Sequence, residues 1–217
     1  MPEDRPTHDE KLALILRAAA AIFADKGYDR ASIRDISRAT GVSLSGLYYY
    51  FNSKEELLYL IQRRCFEAVL GNLERVLAGV TDPELRLRLL IENHLRFFVS
   101  NMKEMKVLSH EADALTGEYR RRVHEQKKRY TEICASILEE LRPEESAIEL
   151  RVATFSLFGM LNWIYNWYDP ARDVPVGELA DQVSRLFLSG YRAGSDPAVS
   201  VPGAGESALG ESRPSVW

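Results

Sequence analysis

The chain has 217 residues, a formal net charge of −4, 46% hydrophobic and 28% charged residues, a balance that suits a globular protein and excludes a low-complexity or highly charged one. Cys65 and Cys134 have neither metal-ligand spacing nor the density of a secreted disulfide framework, so a reducing cytoplasm is the expected compartment. The first ten residues are polar and lack the basic-then-apolar pattern of a signal peptide.

In chain order, apolar residues recur at helical spacing and strand-like alternation is nearly absent, which predicts an all-α fold of about nine helices. Leu12, Ile15, Ala19, Ile22 and Phe23 form a core-facing stripe, with a capping box at Thr7-x-x-Glu10 before it and Gly27 after it. Ser32 caps a short helix carrying Ile33 and Ile36 that Gly41 stops, and a third helix runs from Leu44 to Tyr50. Ser53-x-x-Glu56 is another capping box, opening a long helix to about Ala78 with Leu57, Leu60, Ile61, Cys65 and Val69 on one face. Asp82-Pro83 starts the next, to about Asn101. Further helices are predicted over 104–115, 117–141, 144–168 and 178–193, and the Gly/Ser/Pro/Ala-rich tail 194–217 is expected to be disordered. Residues 152–168 carry no charge, but they fall short of the ~20 apolar residues a bilayer needs. They also include Thr154, Ser156, Asn162 and Asn166, so no membrane span is expected.

The informative segment is Ala31–Leu57, in which a short helix, a glycine turn at Gly41–Ser43 and a second short helix make a helix-turn-helix. Gly41 suits a turn that needs positive φ, and Val42 and Leu47 can fill a small core with Ile33, Ile36 and Phe23. Such a unit reads DNA by projecting the start of its second helix into the major groove. Ser45 and Gly46 are small enough for close approach to bases, and Tyr48 and Tyr49 point outward, whereas Tyr50 and Phe51 read as packing residues. Residues 26–64 hold seven Lys/Arg against four Asp/Glu in a chain that is acidic overall, which fits a phosphate-facing surface.

The run Gly41-Val42-Ser43-x-x-x-Leu47-Tyr48-x-Tyr50-Phe51-x-Ser53-Lys54-Glu55-Glu56-Leu57 resembles the signature of the TetR/AcrR family of transcriptional regulators, over roughly residues 10–60. The resemblance implies a DNA-reading helix at Leu44–Tyr50, phosphate contacts from Tyr48 and Lys54, and a base or phosphate contact from Arg34. Ser32, Ser43, Leu44, Ser45, Gly46 and Tyr49 complete the candidate DNA-facing set. The sequence departs from the common family pattern at Leu44, Ser45 and Gly46, so direct base readout would rest on few side chains. The expected organisation is a helix-turn-helix DNA-binding domain at 1–54, a ligand-binding and dimerisation domain at 55–193, and the tail.

In the body, the helix expected to end near Tyr168 is apolar nearly all round, which requires burial on two sides: the domain core on one, a partner subunit on the other. The resemblance likewise implies a homodimer through the last two helices. Phe66, Phe97, Phe98, Met102, Met105, Tyr130, Phe155, Phe158, Asn162 and Trp163 are candidate linings of a pocket for a small hydrophobic effector; plain core is the alternative. The stretches HEADALTGEYRRRVHEQKKRY and NWIYNWYDP are similar to TetR-type regulators of fatty-acid and other acyl-CoA catabolism, which implies an acyl-CoA as effector. Arg120, Arg121, Arg122, Lys127 and Lys128 then stand either at the pocket mouth or on an exposed helix face balanced by Glu118 and Glu125.

The histidines form no HExxH or Cys–His group, and there is no phosphate loop or nucleophile elbow, so neither an enzyme nor a metal site is expected. The expected function is a ligand-responsive repressor that binds double-stranded DNA as a dimer. Its rivals are an effector-independent DNA-binding protein and an all-α enzyme using Trp163 and His110.

Overall fold

The computed structural model describes residues 7–142 and 148–192, and among them the chain forms nine α-helices and no strand. Helices α1 (His8–Lys26), α2 (Ile33–Thr40) and α3 (Leu44–Leu47) make a head; α4 (Lys54–Leu77) leads into a body of α5 (Pro83–Ser100), α6 (Met102–His110), α7 (Gly117–Glu140), α8 (Leu150–Asn162) and α9 (Val176–Arg192). The anticipated tail and the start of the helix before Leu150 lie outside the described residues.

Local chemistry sets the helix starts. Thr7 and Glu10 form a reciprocal capping box on α1, and Ser32 and Asp35 form one on α2. At α4 only half of the expected box exists. Ser53 accepts from the Glu56 N–H, but the Glu56 carboxylate takes the backbone and side-chain N–H groups of Asn52 instead, at 2.7 and 2.9 Å.

Three elements are shorter than the sequence pattern predicts. α3, the second helix of the helix-turn-helix, ends at Leu47, since Tyr50 N–H reaches back only three residues, to the Leu47 carbonyl. α6 starts at Met102 and gives way to a 3-10 turn at Ala112–Ala114, and α8 tightens into another at Trp163–Asn166.

One apolar core runs through head and body, from Phe23, Ile36, Leu47 and Phe51 to Leu73, Leu90, Ile137 and Leu157. α5 is its axis, packed against α4, α7, α8 and α9. α9 lies antiparallel on α5, tied by Arg192 to Glu84 and Arg88 to Asp181, each at 2.5 Å, and Tyr191 donates to the Leu138 carbonyl at 2.9 Å. α1 packs on α2 of the head and on α4 and α6 of the body. No helix of the described residues is long and apolar enough to cross a membrane.

Candidate nucleic-acid interface and effector cavities

The helix-turn-helix is built around Gly41, whose φ of 70° is left-handed and whose N–H caps α2 through the Ser37 carbonyl. Ser37 in turn donates to the Val42 carbonyl at 2.7 Å, which fixes the turn. Ser43 caps α3 by accepting from the Gly46 N–H at 3.1 Å. Gly46 has a packing role besides any approach to bases, since a Cβ there would lie 3.0 Å from Val42 Cγ1 and 3.1 Å from Ser43 Oγ.

This leaves Ser32, Arg34, Ser43, Leu44, Ser45, Tyr48 and Tyr49 exposed on the head, with Tyr48 51% and Tyr49 73% accessible. Phe51 is buried and Tyr50 half-buried, as packing residues should be. Asp35 pairs with Lys26 and Arg38 at 2.9 and 2.7 Å, and the Ser32 hydroxyl and Lys26 hold its carboxyl well below the usual carboxylate range. Arg38 is thereby half spent on its own helix.

Lys54 differs from the other candidate DNA contacts in its surroundings. Its ammonium donates to the carbonyls of Tyr28, Asp29 and Ala31 at 2.8, 3.2 and 3.1 Å, and lies 4.3 Å from the centre of the Tyr28 ring. An ammonium has three protons to donate, and all three have acceptors inside the head. Lys54 therefore staples the α1–α2 loop to α4, beside the free N–H groups of the α4 N-terminus.

One carboxylate, Glu111, ties head to body, and another, Glu55, ties α4 to the start of α7. Glu111 accepts the Tyr28 N–H at 3.0 Å, and Glu55 accepts both the N–H and hydroxyl of Thr116 at 2.7 and 2.8 Å. Neither pairing shows in local spacing, because the partners are 83 and 61 positions apart.

In the body, Phe66, Phe97, Phe98, Met105 and Tyr130 line one small cavity of about 20 Å³, together with Cys65, Val69, His94 and Leu108. Phe158 packs on the rings of His94 and Tyr130, and Asn162 lies 3.2 Å from His94 Nε2. His94 Nδ1 lies 3.3 Å from the Tyr130 hydroxyl. An amide oxygen at Nε2 places the ring proton there and leaves Nδ1 to accept. Burial pushes this imidazole down to about 3, so it is neutral.

Met102 is half-buried and lines neither this cavity nor the larger one described next. Phe155 and Trp163 line neither of these two cavities and are 40% and 61% exposed. An all-round apolar helix has two faces, and these side chains lie on the outer one with Val152 and Trp167.

A second, larger cavity of about 170 Å³ lies between α1 and the body, lined by residues of α1, α4, α5 and α6 together with Asn101. It was not legible in the sequence, because its walls come from separate elements. The basic tract on α7 supplies no open anion site. Arg121 and Arg122 pair with Glu118, Arg120 with Asp113 at 3.9 Å, Lys128 with Glu132 at 3.6 Å and Arg129 with Glu74. Burial pushes the Lys127 ammonium down to about 8. These ion pairs lie on an exposed helix face, with Glu118 among its carboxylates.

A helix-turn-helix head on an all-helical body with internal cavities defines a DNA-binding regulator with a sensing domain. The family models agree: "Bacterial regulatory proteins, tetR family" matches residues 15–59, and "Tetracyclin repressor-like, C-terminal domain" matches residues 80–191. The chain belongs to the TetR family of transcriptional regulators.

It is 28% identical to the HTH-type transcriptional activator FasR of Mycolicibacterium smegmatis over 73% of this chain and 70% of that one. It is 25% identical to the HTH-type transcriptional repressor KstR2 of Rhodococcus jostii over 81% and 88%. Among solved structures, a TetR-family regulator from Bordetella parapertussis superposes with a TM-score of 0.78 at 30% identity, covering 89% of this chain and all of that one. AibR, solved in complex with isovaleryl coenzyme A and operator DNA, superposes with a TM-score of 0.72 at 27% identity, covering 82% and 97%.

Proposed function

We propose that the chain is a homodimeric repressor that holds an inverted-repeat operator in the cytoplasm and lets go when a small hydrophobic effector, an acyl-CoA, binds the body. The observation that carries this reading is the pairing of an exposed helix-turn-helix surface with a guest-sized cavity whose wall includes α1, a helix of the head.

One head spans only a few base pairs. Two heads about one DNA turn apart, ~34 Å, are needed for affinity and fix the inverted repeat. The outward apolar residues of α8 and α9, Val152, Phe155, Trp163 and Leu186, supply the face on which a second copy would seat.

The acyl-CoA class is supported by AibR, bound to isovaleryl coenzyme A in its own structure. Repression is supported by the near full-length match to KstR2. An effector-independent DNA-binding protein would have a filled body, and the cavity of about 170 Å³ argues against it.

The test is to select operators from random duplex DNA, then titrate the complex with short-, medium- and long-chain acyl-CoAs and read fluorescence anisotropy. Release by one chain-length class is the expected result. A complex indifferent to all of them at saturation removes acyl-CoA as the effector.

A further inference from the structure

We propose that the cavity between α1 and the body holds the phosphate-bearing head of the effector, with Arg17 and Arg64 as its two cationic contacts and Phe97 as the wall that limits the apolar part. This rests on the acyl-CoA reading above and names the site through which that ligand is held.

The first argument is charge. Arg17 on α1 and Arg64 on α4 are both exposed, both line this one cavity, and neither makes an ion pair or hydrogen bond among the described residues. The arginines of the α7 tract, by contrast, are engaged by carboxylates. Two guanidinium groups on facing helices suit a multiply charged phosphate group, to which arginine binds with paired N–H donors. Glu104 lines the same cavity and opposes a single negative charge there, so the site favours a head with more than one.

The second argument is shape. A cavity of ~150 Å³ accommodates a benzene-sized guest, and this one, at about 170 Å³, reaches past its charged rim to Leu16, Ile61 and Phe97. Phe97 and Cys65 also line the inner cavity of about 20 Å³, so together they form the partition between the two. With Phe97 in place only a short acyl group fits. A swing of its ring joins the two spaces into a slot that ends at His94 and Tyr130.

The third argument is position. One wall is α1, which also packs on α2 of the helix-turn-helix, and another is α6, whose last residue precedes Glu111 and its bond to the Tyr28 N–H. A ligand wedged here makes contacts that depend on head orientation, which is what coupling between two sites requires.

Calorimetry on the full chain tests the site with three ligands: a short-chain acyl-CoA, the matching free carboxylic acid, and coenzyme A without an acyl group. Wild-type protein should bind the thioester best. Arg17→Ala and Arg64→Ala should each weaken it about tenfold and flatten its dependence on salt, and Ala68→Trp should block the exposed rim without removing a charge. Glu104→Gln should tighten binding. Phe97→Ala should move the preference to longer chains. Arg120→Ala should change nothing, and operator binding without ligand by Arg64→Ala certifies the fold.

Thioester binding that survives both arginine replacements and the tryptophan overturns this site while leaving the acyl-CoA reading intact. A free acid bound as tightly as the thioester overturns the phosphate assignment. Wild-type protein that binds none of the three overturns the reading and the site together.

Discussion

Lys54 and Tyr48 lie in the same short motif, yet the structure gives them opposite duties. The Lys54 ammonium is surrounded by three carbonyls of residues 28–31, while Tyr48 stands half in solvent. Lys54→Met should therefore lower the melting temperature, through loss of charge-assisted hydrogen bonds worth about 1.5–3 kcal/mol. It should leave the slope of operator affinity against salt unchanged. A drop in that slope of about one would mean that a phosphate contact had been lost instead. Tyr48→Ala should do the reverse and weaken operator binding with the melting temperature held. His94 makes a residue-scale prediction about pH. Its folded pKa is depressed to about 3 by burial, while an unfolded histidine titrates near 6.5. Above about 6.5 both states are neutral and the group has no effect. As pH falls from there towards 3 the unfolded chain takes up a proton that the folded one refuses, so stability drops by about 1.4 kcal/mol per pH unit. Urea melts of wild-type and His94→Gln across this window should show the difference in slope; parallel curves would refute it.

At the scale of elements, the outward faces of α8 and α9 carry the dimer proposal. Val152, Phe155, Gly159 and Trp163 follow one helical face, and Leu186 on α9 is 69% exposed. In a two-fold interface each substitution counts twice. Trp163→Glu or Leu186→Glu should cost about 3–6 kcal/mol of dimer stability, taking about 1.5–3 for each buried side chain. Sedimentation should then show a monomer that keeps its helical spectrum and no longer holds operator DNA; a dimer of normal strength would place the interface elsewhere. These faces also mark how far the sequence was legible. Helix starts at Thr7, Ser32 and Ser53 were readable because a cap and its partner are three residues apart. The turn at Gly41 was readable because only one residue type adopts its conformation cheaply. The apolar run of α8 announced burial on two sides without saying which residues face which, so the exposure of Phe155 and Trp163 was not legible. The 3-10 turn after Asn162 carries no Gly or Pro signal, and Gly46 lies inside α3 rather than just past its end, so neither ending was readable. The internal bonds of Lys54 were hidden for a related reason: its acceptors lie at least 23 residues earlier in the chain.

At the scale of the whole molecule, the proposed release of DNA requires that the body move the head. Outside the shared core, the polar links between them are few: Glu111 to the Tyr28 N–H and Lys54 to the carbonyls of the same loop. Gln62 steadies the first by donating to the Glu111 carbonyl at 3.4 Å. Glu111 directly follows α6, a wall of the larger cavity, so a displacement of α6 reaches the loop that orients α2 and α3. Regulatory coupling amounts typically to about 1–3 kcal/mol, and one charge-assisted hydrogen bond accounts for a comparable amount. Glu111→Ala should then bind effector as wild-type does, while the ratio of operator affinities without and with saturating effector falls several-fold towards one. Glu55→Ala, which frees Thr116 at the start of α7, serves as the comparison because its link does not pass through α6. Four anisotropy titrations per variant close the cycle. If Glu111→Ala keeps the full ratio and Glu55→Ala loses it, the strain travels through α4 and α7, and the wall of the cavity that matters is α4 rather than α6.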